Sequence, residues 1–358
     1  MRVGISLLTL SPGISGGSET YARGLTRALA AAGSLEYTAL VPGRAPDAAG
    51  GLPRAVVDEP AWAGRGPSRI PALALASRRS RDLRASLRAL DVVHYALTVP
   101  IPRASVPSVV TLHDLQHLDL PELFGRGQRW FRRLAYDRTT RSATAVVVPS
   151  AFVRSRAVER LGIDPARLHV IPHAVAHDLF HPSDEPRERF VLYPARAWPH
   201  KNHRTLLDAF ALLRDSHPEL TLVLTGEGLE ALEPLPSGVE RRGVVTLEEL
   251  AALYRRAACL VYPSLYEGFG LPPLEAMASG CPVAAANVGA IPEVCGDAAV
   301  LFDPTDPEAI AEAVLEADGR RAELRDRGLG RAGAFTWEKL ASAHDSVYAS
   351  THRNGEVP

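Results

Sequence analysis

Residues 262–303 read YPSLYEGFGLPPLEAMASGCPVAAANVGAIPEVCGDAAVLFD. A turn through Gly268, Phe269 and Gly270 runs into Leu271-Pro272-Pro273, and proline belongs in the first turn of a helix. A helix is predicted over Leu274–Ala278, ending at Gly280. The apolar runs Cys259–Tyr262 before it and Pro282–Ala286 after it have strand length. Strand, turn, helix and strand make the repeating unit of an α/β fold. A helix start offers unpaired N–H groups and the positive end of a dipole, which suit an anion such as a diphosphate. Glu267 precedes this turn and Glu275 follows it on the helix, so two carboxylates bracket a phosphate-sized turn. Together they suit a nucleotide carrying something polyhydroxylated.

Outward from this stretch the same alternation fills the chain. Val3–Leu10 is predicted as a buried parallel strand. A loop with Pro12, Gly13, Gly16 and Gly17 follows, then a helix from Ser18 to about Ala32. Strands are predicted at 37–41, 55–57, 91–95, 108–112 and 145–150, and helices at 78–90, 127–142 and 151–161; much of 42–70 reads as loop. The polar, proline-rich segment 178–189 is the best linker. A second alternation starts at Phe190, continues with strands at 220–225 and 239–243, and closes with an amphipathic helix from Trp337. Two successive strand-helix series predict an α/β protein of two doubly wound, Rossmann-like domains facing each other across a cleft. They would span 1–180 and 188–336. Ligands of such sheets bind outside the carboxyl ends of the strands.

Composition narrows the class. The 358 residues give a net charge of −1, so nothing pulls the whole molecule toward nucleic acid or anionic lipid. Cys259, Cys281 and Cys295 are too few and too scattered for a disulfide framework or a zinc site, and reduced thiols fit a cytoplasmic protein. The N-terminal apolar run is too short to span a membrane and reads as a strand. His169, His173, His177 and His181 recur every four residues, but Pro172 and Pro182 forbid the helix that would align them on a metal. Asp-x-Asp is absent from the chain, which points to protein cations and backbone N–H groups, rather than a metal, as the partners of a diphosphate.

Several residues are placed for chemistry. Arg196 and Lys201 share the loop after the first strand of the second series, and Lys201 is one of only two lysines. Both could meet one diphosphate, the arginine in bidentate fashion and the lysine as a point charge. His113-Asp114 ends a strand of the first series, where the histidine could donate a hydrogen bond to a transferred group or the pair could cap the next segment. Gly16-Gly17 allows either a tight turn or a phosphate contact; the dinucleotide fingerprint is absent. Residues 127–143 hold five arginines beside Trp130 and Phe131. They read either as a basic helix lying on a membrane surface or as a solvated face with Trp130, Leu134 and Tyr136 packed inward.

Taken together, these residues resemble the family 4 retaining glycosyltransferases of the B-type, two-Rossmann-domain architecture. The resemblance is most specific in YEGFGLPPLEAMASGCPVAAANVGAIPEV (266–294), which is similar to that family's Glu-x7-Glu signature. GGSETYARGL (16–25), VVTLHDL (109–115), VVVPSAF (146–152) and RAWPHKN (196–202) support it, and FTWEKLASAHDSVY (335–348) resembles the family's closing helix. The resemblance implies that the helix over 337–350 packs back on the first domain. It implies that Glu275 binds the ribose and that Phe269, Gly270 and Leu271 offer N–H groups to the diphosphate or sugar. Glu267 and His113 would hold the transferred sugar, Arg196 and Lys201 would neutralise the departing diphosphate, and Gly16 and Gly17 would give it room. Val245, or Val244, would lie near the base.

The implied activity moves a hexosyl group, mannosyl as the first expectation, from a nucleoside-diphosphate sugar to a hydroxyl, without a metal and without a protein base. The acceptor would be a glycan, a lipid-linked glycan or a natural product, and the protein would be cytoplasmic or peripheral at the inner membrane face. An epimerase or phosphorylase on the same architecture is the competing enzyme class, and a non-catalytic sugar-nucleotide binder the competing binding class.

Overall fold

The computed structural model describes residues 1–13, 16–59 and 69–355. The chain divides into two compact units, Met1–Ala174 with the C-terminal helix from Trp337, and Val175–Thr336.

The N-terminal unit is built on seven parallel strands: β1 (Arg2–Ser6), β2 (Glu36–Pro42), β3 (Arg54–Val57), β4 (Val92–Tyr95), β5 (Ser108–Thr111), β6 (Ala145–Val148) and β7 (Leu168–Val170). Their order across the sheet is 3-2-1-4-5-6-7. The second unit has six: β8 (Phe190–Pro194), β9 (Thr221–Thr225), β10 (Val239–Gly243), β11 (Cys259–Tyr262), β12 (Val283–Ala286) and β13 (Val300–Phe302), in the order 10-9-8-11-12-13. Counted within its own unit, each sheet therefore begins 3-2-1-4-5-6, the doubly wound order of a Rossmann fold. The order reverses between β1 and β4 in one unit and between β8 and β11 in the other. Crossover helices diverge to opposite faces there and leave a crevice at the carboxyl ends.

The strand sequences explain their places. Ala145-Val146-Val147-Val148 and Cys259-Leu260-Val261-Tyr262 are buried throughout, as central parallel strands covered on both faces must be. At the sheet edge, β10 carries Glu240, Arg241 and Arg242, all exposed, and such charges discourage pairing with another chain. The C-terminal helix lays Leu340, Ala341, Val347 and Tyr348 into the same core as Val3, Ile5, Tyr21 and Leu25.

Three predicted elements are corrected. β1 stops at Ser6; Leu7, Leu8 and Leu10 stay buried but the chain turns back, with the Leu10 N–H on the Leu7 carbonyl. The helix read over 78–90 is two helices, Arg69–Arg79 and Arg81–Arg88, because Ser80 leaves helical geometry and caps the second through the Leu83 N–H. The helix of the opening stretch begins at Leu271 instead of Leu274, taking both prolines into its first turn. Part of the loop read over 42–70, residues 60–68, lies outside the described residues.

Candidate functional site

In the second unit the loops after β8 and β11 both end at the switch point. The β8 loop turns through a short helical segment, Pro199–Lys201, to Asn202 in the left-handed conformation. The Asn202 side-chain amide donates to the carbonyls of Pro263 (3.1 Å) and Pro304 (2.7 Å), tying this loop to those after β11 and β13. The Leu265 N–H donates to the His200 carbonyl. These bonds hold Lys201 over Tyr262, the last residue of β11.

Lys201 Nζ lies 2.5 Å from Glu267 Oε1 and 3.1 Å from the Tyr262 hydroxyl, which itself donates to Glu267 at 2.9 Å. Lysine and glutamate side chains are each only 14% exposed. A half-buried ion pair of this kind keeps both charges in reach of a ligand while shielding them from bulk water. Arg196 goes elsewhere: its guanidinium stacks over Trp198 and lies 3.5 Å from Glu227.

Beside this cluster the chain turns through Gly270, at φ 109°, into the helix Leu271–Ala278. Glycine is required there, since a Cβ would also meet Ile291 Cδ1 at 2.5 Å. The N–H groups of Gly270 and Leu271 meet no acceptor among the described residues. Pro272 and Pro273 have no N–H, so those two donors are where the helix start is open to an anion. The Phe269 ring is buried edge-on to Phe335, which anchors the turn.

Glu275, one turn into the helix, is buried, and its only described side-chain partner is the Tyr254 hydroxyl at 3.3 Å. Burial pushes its carboxyl up to about 7. Val244, largely exposed, and half-buried Val245 follow β10.

In the N-terminal unit, Gly16 takes φ 53° as the cap of the helix Gly17–Ala32, and a Cβ on Gly16 or Gly17 would meet nothing within 4 Å. The loop leading there is held by Arg69, a buried guanidinium that donates to the carbonyls of Thr9 (2.7 Å) and Leu10 (2.6 Å) and to Ser11 Oγ (2.7 Å), with Glu59 as its counter-charge. The Gly13 N–H donates to Glu19.

His113 is half-buried, edge-on to Tyr21 and His173. Its Nε2–H donates to the Ala96 carbonyl at 2.9 Å, and Nδ1 has no hydrogen-bond partner among the described residues. Burial holds the ring below its usual range, so it is neutral and Nδ1 can only accept. The sequence reading of His113 as a donor is thereby corrected. Asp114 accepts from the Gln116 N–H (3.1 Å), while the short helix Gln116–Asp119 has Leu115 at its N-cap.

Behind His113 a directional hydrogen-bond chain crosses the unit. Tyr348 donates to His94 Nδ1 (2.8 Å), His94 Nε2–H to Thr111 (2.8 Å), Thr111 to Tyr21 (2.9 Å) and Tyr21 to His344 Nε2 (3.0 Å), whose Nδ1–H ends on the Leu340 carbonyl (2.8 Å). All these donors find acceptors only if both histidines are neutral. Burial lowers His94 and His173 well below the ordinary value and His344 to about 4.

A depressed folded-state pKa gives stability that is present above the unfolded value, near 6.5, and is lost as pH falls toward the folded one. The loss is about 1.4 kcal/mol per histidine per pH unit. The melting temperature of the N-terminal unit is therefore expected to drop steeply between pH 7 and pH 5, read by circular dichroism. A flat profile would remove the neutral network.

Two family models match the chain: Glycosyltransferase Family 4 over residues 15–179 and Glycosyl transferases group 1 over 188–317. O-antigen chain mannosyltransferase B of Escherichia coli is 31% identical over 284 residues, 72% of this chain and 74% of that protein. The chain belongs to the family 4 glycosyltransferases. The MMP alpha-(1->4)-mannosyltransferase of Mycolicibacterium hassiacum is 32% identical over 276 residues, 69% of this chain and 66% of that protein. Sucrose-phosphate synthase from Thermosynechococcus elongatus, 21% identical, matches 99% of this chain and 100% of its own with a TM-score of 0.78, a likeness of the B-type fold.

For this glycosyltransferase, Lys201 and Glu267 were both singled out from sequence, but their pairing was not. Arg69 was missed, since a lone arginine in an arginine-rich chain carries no signal.

Proposed function

We propose that the enzyme is a retaining hexosyltransferase that takes a nucleoside-diphosphate sugar, GDP-mannose first, as donor and a hydroxyl of a glycan, lipid-linked or natural-product acceptor. The observation that carries this reading is the cluster of Lys201, Tyr262 and Glu267 beside the open helix start at Gly270 and Leu271. A cation, two N–H donors and a carboxylate stand together at the ends of β8 and β11. The mannosyl choice rests on the names of the two relatives.

In this reading the diphosphate lies on the Gly270 and Leu271 N–H groups, and Lys201, with Arg196 swung from Glu227, meets the charge that grows as the glycosidic bond breaks. Glu267, relieved of Lys201, takes hydroxyls of the sugar. Glu275 takes the ribose hydroxyls, and Val245 lies toward the base. The N-terminal unit's own candidates are His113, for a sugar hydroxyl, and Gly16–Gly17, where bare backbone leaves room for a phosphate. The leaving phosphate takes the acceptor's proton, so no side chain serves as base, and no metal is called for.

A thermal-shift panel of nucleoside diphosphates tests the reading. At a hundredfold excess over Kd a ligand adds about 2.7 kcal/mol, a shift of several degrees. GDP is expected to give the largest shift. A larger shift with UDP would replace the mannosyl donor, and none with any nucleotide would overturn the assignment.

A further inference from the structure

Residues 126–142 run as one helical rod with a widened turn in the middle: Arg126–Arg132, then Arg133–Asp137, where the Arg138 N–H reaches back five residues to the Arg133 carbonyl, then Arg138–Ser142. The sequence offered an inward face of Trp130, Leu134 and Tyr136. That is corrected: residues 130 and 134 share a face, and 136 lies across the helix from 134. The structure buries the side with Phe131, Ala135 and Tyr136 against Leu73, Leu83 and Val57, and the Asp137 carboxylate against His117. Trp130 is left 67% exposed and Leu134 46% exposed.

Around these two apolar side chains stand Arg126, Arg133 and Arg138, all exposed, and half-exposed Arg129. None of the four pairs with a carboxylate among the described residues. The one acid of the rod, Asp137, is engaged by His117, and Asp114 beside it by Arg132. In a protein of net charge −1, this stripe is locally cationic with no internal neutralisation.

We propose that this stripe docks on an anionic lipid surface, with Trp130 and Leu134 entering the headgroup region and the arginines bonding lipid phosphates. Two observations combine. A tryptophan and a leucine one turn apart on the same exposed line can insert together, the arrangement of an in-plane amphipathic helix. The flanking guanidiniums reach phosphate with their apolar stems lying along the interface. A nucleic-acid partner would use the arginines and could stack on the indole, but has no use for the exposed leucine. The surface is separate from the donor residues, so this inference stands or falls apart from them.

The test is co-sedimentation of the full chain with vesicles of phosphatidylcholine alone, or with about one third phosphatidylglycerol, near physiological salt. Selective binding to the anionic vesicles is expected. Arg126→Gln, Arg129→Gln and Arg133→Gln should each weaken it by roughly fivefold. Trp130→Ser with Leu134→Ser should weaken it by at least about tenfold. The melting temperature and the nucleotide-induced shift should not change, since none of these side chains is buried or placed in the donor site. Equal binding to both vesicle types, unchanged binding in the variants, or binding to an oligonucleotide but not to vesicles would each overturn the proposal.

Discussion

Lys201→Ala is expected to lower turnover by about two to three orders of magnitude while weakening nucleotide binding far less. The reason is timing. In the free enzyme the ammonium is occupied by Glu267 and Tyr262, so a bound diphosphate competes for it and gains little. As the bond to the sugar breaks, a full charge develops on the leaving phosphate, and a cation already in place, in a site short of water, is worth most at that moment. The same substitution leaves the Glu267 carboxylate half-buried without its cation, at a cost of roughly 3 kcal/mol. Stability and rate must therefore be separated. Adding Glu267→Gln to Lys201→Ala is expected to recover melting temperature but none of the turnover. Steady-state kinetics beside thermal melts distinguish the cases, and a fully active Lys201→Ala enzyme would remove this residue from the mechanism.

Glu275→Gln is expected to move stability and binding in opposite directions. The carboxyl lies at about 7 in the folded protein against an ordinary 4.5, because burial disfavours its charge. The sign follows from linkage: the folded state favours the protonated form, so that contribution is complete below 4.5 and is lost as pH rises through 7. The gap between the two values means that keeping this group ionised at about pH 8 costs roughly 3 kcal/mol. Glutamine keeps the shape and can still accept from Tyr254, so the free variant should melt several degrees higher at about pH 8 and show no gain near pH 4.5. Nucleotide affinity should fall by about 10- to 100-fold, because hydrogen bonds from ribose hydroxyls to a carboxylate are stronger than those to a neutral amide. Wild-type affinity should likewise decline as pH drops below about 7 and the carboxyl takes up its proton. Titration calorimetry across that range, with melts of the free proteins, reads both effects. A variant that lost stability and kept affinity would make Glu275 a structural residue.

How far these arguments were legible in the sequence depended on distance along the chain. Apolar runs such as Val146-Val147-Val148 and Val109-Val110 announced parallel strands by themselves, and Gly270 with Pro272-Pro273 announced a turn into a helix start. The side-chain partners did not follow. Lys201 was matched with Arg196, five residues away, whereas it meets Glu267, sixty-six residues on, and Arg196 meets Glu227. Charge type and loop position are local, but pairing is set by which strands lie side by side, and the reversal between β8 and β11 is a property of the whole sheet. For Trp130 and Leu134 the sequence leaves an inward and an outward face open, and the inward one fails because the rod has more hydrophobic residues than one buried face can take.

The hydrogen-bond chain from Tyr348 through His94, Thr111 and Tyr21 to His344 bears on synthesis. The first 174 residues leave the ribosome without the helix that satisfies Tyr21 and His94, which must wait while the whole second unit is made. Domains emerging from a ribosome generally mature in the order they appear. Here the later-made unit holds all its own strands first, and the earlier one is completed by the last helix of the chain, so a nascent polypeptide stalled before Trp337 carries a half-built core that a chaperone would recognise as unfinished.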